Sequence, residues 1–164
     1  MKNKLSSQNH ITIQDTSTFL WIDDQCKVDW TELSDLYRIA PLGEKSSKHL
    51  EIVYSNSLFK CFVYSNNRLV GAGRALADGG DCSYICDIAV HPEFQGLKLG
   101  KALVEKLVTL SDGYKKILLY ANPGKEGFYQ KLGFYKMNTA MAIFADNTLA
   151  IESGIIRKNT INNK

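Results

Sequence analysis

The chain has 164 residues, 45% hydrophobic and 23% charged, which suits one domain with an ordinary apolar core. A formal net charge of +3 without a lysine or arginine run gives no footing for nucleic acid. No apolar run approaches the roughly 18 residues of a membrane span, and none before Trp21 is long enough for a signal peptide, so the expectation is a cytoplasmic protein.

Residues 1–9 are polar, and short strands are expected over 10–15 and 18–23. Asp29 can cap a helix over 30–40, where Leu33, Leu36, Tyr37 and Ala40 recur at helical spacing. Pro41-Leu42-Gly43 ends it, and a second helix is expected over 47–55. Strands over 58–65 and 69–76 flank Asn66-Asn67 and read as a hairpin. After a glycine-containing turn, residues 82–90 form the next strand. A helix over 96–111 follows, with Leu99, Ala102, Leu103, Leu107 and Leu110 on one face. Residues 117–121 are fully apolar, the mark of a buried central strand. A short helix over 124–132 stops at Gly133, and residues 134–145 contain the closing strands. The order is β-α-α-β-β-β-α-β-α-β-β, an α+β fold with a mixed sheet. It forms a single domain over 1–145 followed by a C-terminal extension over 146–164.

Cys26, Cys61, Cys82 and Cys86 form no C-x-x-C, and with His10, His49 and His91 they complete no zinc spacing. Reduced thiols and no metal are expected. Gly71-Ala72-Gly73 invites a nucleotide-loop reading. It fails, because Leu76 stands where the third glycine of G-x-G-x-x-G is needed. A bulge or close packing is the better account. The three histidines are weak candidates for a base.

The informative stretch is residues 87–100, DIAVHPEFQGLKLG. A strand, a turn with glycine and a helix start in that order leave the first helical N–H groups unpaired, aimed where the helix dipole favours an anion. The stretch resembles motif A of the GCN5-related N-acetyltransferases, whose Q/R-x-x-G-x-G/A loop holds the pyrophosphate of acetyl-CoA. Lys98 departs from it, standing where the family usually has its middle glycine. Phe128-Tyr129-Gln130-Lys131-Leu132-Gly133-Phe134 resembles motif B, F-Y-x-x-x-G-F. The V-H-P-E-F-Q-G-L run and the M-A-I-F close are most similar to small bacterial members and the plant-type arylalkylamine (serotonin) acetyltransferases.

The resemblance implies a central, mixed, mostly antiparallel and splayed sheet flanked by about four helices. It also implies transfer of an acetyl group from acetyl-CoA to a primary amine by direct attack in a ternary complex. The pyrophosphate would lie on the N–H groups of Gln95, Gly96, Leu97, Lys98, Leu99, Gly100 and Lys101. The pantetheine arm would run along Ile88, Ala89 and Val90, with the N–H of Ile88 as oxyanion donor. Asn122 would hold the pantetheine amides, and Phe128 would complete the cofactor site. Tyr129 would protonate the leaving thiolate, since a phenol with a pKa of about 10 stays protonated at neutral pH.

Two roles stay open for Asp87: a base acting through water, or a carboxylate anchoring a neighbouring loop or helix. Tyr84 or solvent could relay the amine's proton instead. Lys98 can crowd the phosphates or add a cation to them. A different class of function stays open too, a non-catalytic CoA-binding or sensor module with a degenerate loop. The acceptor rests on residues 30–55 and 139–164, where the resemblance carries least. Leu149, Ala150, Ile151, Ile155 and Ile156 in the tail call for burial, either on a second subunit, giving a homodimer, or back on the same chain.

Overall fold

The structure is a computed structural model that describes residues 12–14 and 17–158, with side chains from Phe19 onward. His10, the ends of the expected strand over 10–15, and the tail beyond residue 158 lie outside the described residues. Residues up to Leu119 form one compact unit, and those from Tyr120 form a second.

The first unit is built on a six-stranded sheet whose spatial order equals its chain order. Its strands are β1 (Thr12–Gln14), β2 (Ser17–Ile22), β3 (Phe59–Ser65), β4 (Arg68–Ala77), β5 (Cys82–Val90) and β6 (Lys116–Leu118). All neighbours are antiparallel except β5 and β6, which run parallel. The β3–β4 hairpin turns on Asn66 and Asn67, at φ of 49° and 62°. Paired left-handed residues give the turn whose twist matches antiparallel strands, and asparagine tolerates that conformation.

Helix α1 (Trp30–Ile39) starts at Asp29, whose carboxylate accepts from the N–H groups of Thr31 and Glu32. Helix α2 (Ser47–Ser55) starts at Ser46, whose hydroxyl accepts from the N–H of His49. Both agree with the expected spans. They place Leu33, Leu36, Tyr37, Leu50 and Tyr54 on Phe62, Leu69, Ala72 and Ala89. Helix α3 (Leu99–Leu110) covers the opposite face. A Cβ on Gly71 would come 3.2 Å from Leu103, and one on Gly73 would come 2.7 Å from Ile88 and 3.2 Å from Leu107. The glycine pair is therefore a packing device, letting α3 and Ile88 close on β4.

Four expected elements differ, the short helix expected over 124–132 among them. Helix α3 begins at Leu99 and not at residue 96, because Gly96 and Lys98 hold φ of 83° and 61°. An α-helix needs φ near −63°, so neither residue can belong to one. Strand β6 covers three residues, not five, and it is an edge of the described sheet with half-buried side chains instead of a buried centre. It pairs with β5 only from Cys82 to Tyr84, and β5 leaves regular strand geometry at Asp87, where φ is 56°. Residues 134–145 contain no strand. A strand needs a partner's backbone groups, and among the described residues none pairs with this run. Tyr135, Met141 and Ile143 are 93%, 91% and 96% exposed.

The second unit holds α4 (Glu126–Gln130), shorter than expected, and α5 (Asn147–Glu152), which the sequence reading did not anticipate. Gly133, at φ of 89°, follows α4 as a stop. Asp146 caps α5 by accepting from the N–H of Leu149. Ala150 is buried, and its carbonyl accepts from the N–H groups of Ile155 and Ile156. The described part of the tail thus folds on itself within its own unit.

Candidate active site

The geometry centres on a bulge in β5. Ala72 pairs with Ala89 and Arg74 with Cys86, which leaves Asp87 and Ile88 together opposite Gly73. Two residues against one define a β-bulge, which bends a strand and re-aims its groups. Beyond Tyr84, β5 pairs with β4 alone among the described strands, so Ile88, Ala89 and Val90 have no strand partner on the β6 side. This is the splay expected from the sequence.

Asp87 is fully engaged. Its Oδ1 accepts from Lys45 Nζ at 2.7 Å and its Oδ2 from Arg74 Nε at 2.7 Å. Burial works to raise its pKa, but the Lys45 hydrogen bond and the charges of Arg74 and Lys45 outweigh it and hold the carboxyl below its usual range. Arg74 also donates to Ser57 Oγ at 3.1 Å. Of the two roles open for Asp87, the geometry favours the anchor, since a cation on each oxygen makes the carboxylate a weak proton acceptor. Lys45 and Arg74 carry no site expectation from the sequence, and Tyr37 is expected there on the buried face of its helix. One signal was there: an arginine within Gly71-Ala72-Gly73-Arg74-Ala75, a run of small residues that reads as a buried strand, needs a carboxylate. Lys45 carries no local signal, being 42 positions from Asp87.

The neighbouring Cys86 thiol is pushed up to about 11, chiefly by burial, and so stays protonated at neutral pH. His91 is buried and structural. Its Nδ1 accepts from the N–H of Glu93, and its Nε2 lies 2.6 Å from Arg68 Nη2.

The turn from β5 to α3 fits an anion. Gln95 donates through its side chain to the Val90 carbonyl at 3.2 Å, and its N–H, expected on the pyrophosphate, instead donates to the Pro92 carbonyl at 3.1 Å because it closes the turn over 92–94. Gly96 is left-handed, and nothing lies within 4 Å of where its Cβ would be. Lys98 occupies the N-cap with φ of 61° and ψ of 10°, and no side chain caps the helix there. The first α3 turn contains no acidic residue, and the Lys98 carbonyl first accepts from Ala102. The N–H groups of Leu99, Gly100 and Lys101 therefore have no partner within α3 and no acidic side chain in their own turn. Lys98 and Lys101 line a cleft of about 260 Å³ beside this turn, with Trp21, Leu97 and Glu105.

In the second unit, Asn122 is exposed and its carbonyl accepts from the N–H of Lys125. Tyr129 is half-buried between Phe128 and Phe134, with ring centroids 5.0 and 6.1 Å away in edge contacts. Burial raises its pKa, which keeps the phenol protonated.

Residues 20–134 match the Acetyltransferase (GNAT) family. The chain belongs to that family. This GNAT chain is 42% identical over 123 residues to the uncharacterised N-acetyltransferase ycf52 of Pyropia yezoensis, covering 71% of each chain. It is 38% identical over 92 residues to the chloroplastic serotonin N-acetyltransferase 2 of Oryza sativa, covering 55% of this chain and 44% of the rice protein. A crystallised probable acetyltransferase of Staphylococcus aureus superposes with a TM-score of 0.68 at 26% identity, over 77% of this chain and 98% of its own. The GNAT assignment makes the protein an acyltransferase of the N-acetyltransferase type, and acetyl-CoA-dependent N-acetylation is the activity that membership implies.

Proposed function

We propose that the protein transfers an acetyl group from acetyl-CoA to a small primary amine by direct attack in a ternary complex. The observation that carries this reading is the open N-terminus of α3, joined by a short turn to a β5 strand whose far edge is unpaired past Tyr84. The N–H groups from Gly96 to Lys101 take the pyrophosphate, and the backbone of Ile88 to Val90 takes the pantetheine arm. Asn122 and Phe128 carry the remaining cofactor contacts by resemblance to the family.

The amine must be neutral to attack, since an ammonium has no lone pair. Its nitrogen adds to the thioester carbonyl carbon, and the Ile88 N–H stabilises the oxygen as it becomes negative. The carbon–sulfur bond then breaks, Tyr129, by resemblance to the family, gives its proton to the sulfur, and the proton that the amine loses to water restores the phenol. The ion pairs of Asp87 support a positioning role over a basic one. The protonated Cys86 gives no thiolate for an acyl-enzyme route.

The left-handed backbone at Lys98 is the conformation a glycine would take, so the loop keeps its shape despite the substitution. That supports the enzyme over a degenerate sensor module. Serotonin is the first acceptor to try, given the rice relative's name. The test is product mass after incubation with acetyl-CoA and an amine panel, beside Tyr129→Phe. The variant should keep its acetyl-CoA affinity and lose about 10²–10⁴-fold in kcat. Binding of acetyl-CoA without any acetylated product would favour the sensor reading.

A further inference from the structure

The Asp87–Ile88 peptide is held from three directions. On the side chain, Lys45 and Arg74 each take one carboxylate oxygen at 2.7 Å. On the main chain, the Asp87 carbonyl accepts from Tyr37 Oη at 3.3 Å. Tyr37 is fully buried, and its hydroxyl is itself fixed by Tyr54 Oη at 2.7 Å. Lys45 belongs to the connection between α1 and α2. It is fastened there twice more, through its carbonyl, which accepts from Ser34 Oγ at 2.6 Å, and through its ammonium over the Tyr37 ring at 5.1 Å.

A trans peptide is planar, with its C=O and the next N–H pointing opposite ways. Fixing the Asp87 carbonyl on Tyr37 therefore fixes the aim of the Ile88 N–H, away from the α1–α2 layer. The conformation needs holding. A non-glycine residue at φ of 56° inside a strand is unfavourable, and such geometry persists when its surroundings over-determine it.

We propose that Tyr37, Lys45 and Arg74 are positioning residues, which hold the Asp87–Ile88 peptide so that the Ile88 N–H meets the developing oxyanion. The proposal rests on the assignment of Ile88 as oxyanion donor. It adds that the α1–α2 connection sets the quality of that donor through Lys45. A displaced α1–α2 connection would be felt at the reacting carbonyl, though no side chain of that connection need touch it.

The test uses the full chain with Lys45→Met, Lys45→Arg and Tyr37→Phe, reading kcat, acetyl-CoA affinity by calorimetry and the pH profile. Lys45→Met should lower kcat by about 10–100-fold, the scale of a catalytic group displaced by a fraction of an ångström to an ångström. Its acetyl-CoA affinity should stay within about twofold, because no pyrophosphate contact is touched. Lys45→Arg should restore most of the rate, and Tyr37→Phe should lower kcat without changing the acid limb. Wild-type kcat in Lys45→Met overturns the proposal. So does a Lys45→Met profile whose acid limb moves to higher pH with full rate recovered above it, since that marks Asp87 as the base. If Lys45→Met does not fold, Tyr37→Phe decides by the same criteria. Failure of the unaltered protein to bind acetyl-CoA would instead remove the functional reading itself.

Discussion

Asp87 in β5 and Lys98 before α3 both hold a left-handed backbone, at φ of 56° and 61°. Such a conformation costs an ordinary L-residue roughly 1–2 kcal/mol. At Asp87, Lys45, Arg74 and Tyr37 hold both the side chain and the carbonyl. Lys98 is exposed and makes no side-chain capping bond. The first strain is stabilised by the fold and so can serve a fixed geometry. The second is tolerated at the surface, where a cation beside a phosphate would give the lysine an advantage over glycine.

The comparison breaks most readily at Asp87. Asp87→Ala leaves Lys45 and Arg74 without their carboxylate and should destabilise the protein by up to about 3–5 kcal/mol, read by denaturant unfolding. Asp87→Gly loses the same ion pairs but accepts the backbone, so it should be about 1 kcal/mol less damaging than alanine. Equal losses would show that backbone strain carries no weight at the bulge.

Gly73→Ala probes the bulge from β4. Its methyl would meet Ile88 Cδ1 at 2.7 Å, and overpacking of this kind costs about 1–3 kcal/mol. The lower end is expected, because the end of an isoleucine can swing aside. A fall in kcat beyond what the stability change explains would tie the packing of Ile88 to the aim of its N–H.

At Lys98 the effect on folding should be small. Lys98→Gly relieves the backbone but frees the unfolded chain, leaving a net change within about 1 kcal/mol. Acetyl-CoA affinity should fall several-fold and depend less on salt, as loss of a cation requires. Tighter binding by the glycine variant would mean that the lysine obstructs the loop.

The smallest effect is a pH dependence. The Asp87 pKa is lowered on folding, because Lys45 and Arg74 outweigh burial. Its stabilisation is complete above the unfolded value of about 3.9 and is lost as pH falls through the lower folded value. Asp87→Asn should therefore show a flatter loss of stability below about pH 4 than the unaltered chain, measured by unfolding at stepped pH. An identical slope would mean that the ion pairs contribute nothing.

Much of the fold was legible because its causes are local. Asp29 reaches N–H groups two and three residues away, and Asn66-Asn67 supplies the hairpin's left-handed pair, a conformation asparagine tolerates. The GNAT motifs are local too: a strand, a glycine turn and a helix start are specified within about fourteen residues. The closing strands expected over residues 134–145 are absent, because strand propensity describes what a strand would bury and not whether a partner strand is there to pair with.

The sequence alone determined the order of elements as far as α4, the hairpin turn, the anion-ready start of α3 and membership of a family that acetylates amines. The tertiary structure decided what Asp87 is for. Its partners lie 42 and 13 positions away along the chain, and the hydroxyl on its carbonyl is 50 away. A carboxylate's character follows from the charges within a few ångströms of it. Folding brings those charges in from distant parts of the chain, so the residues beside Asp87 in sequence could not reveal them.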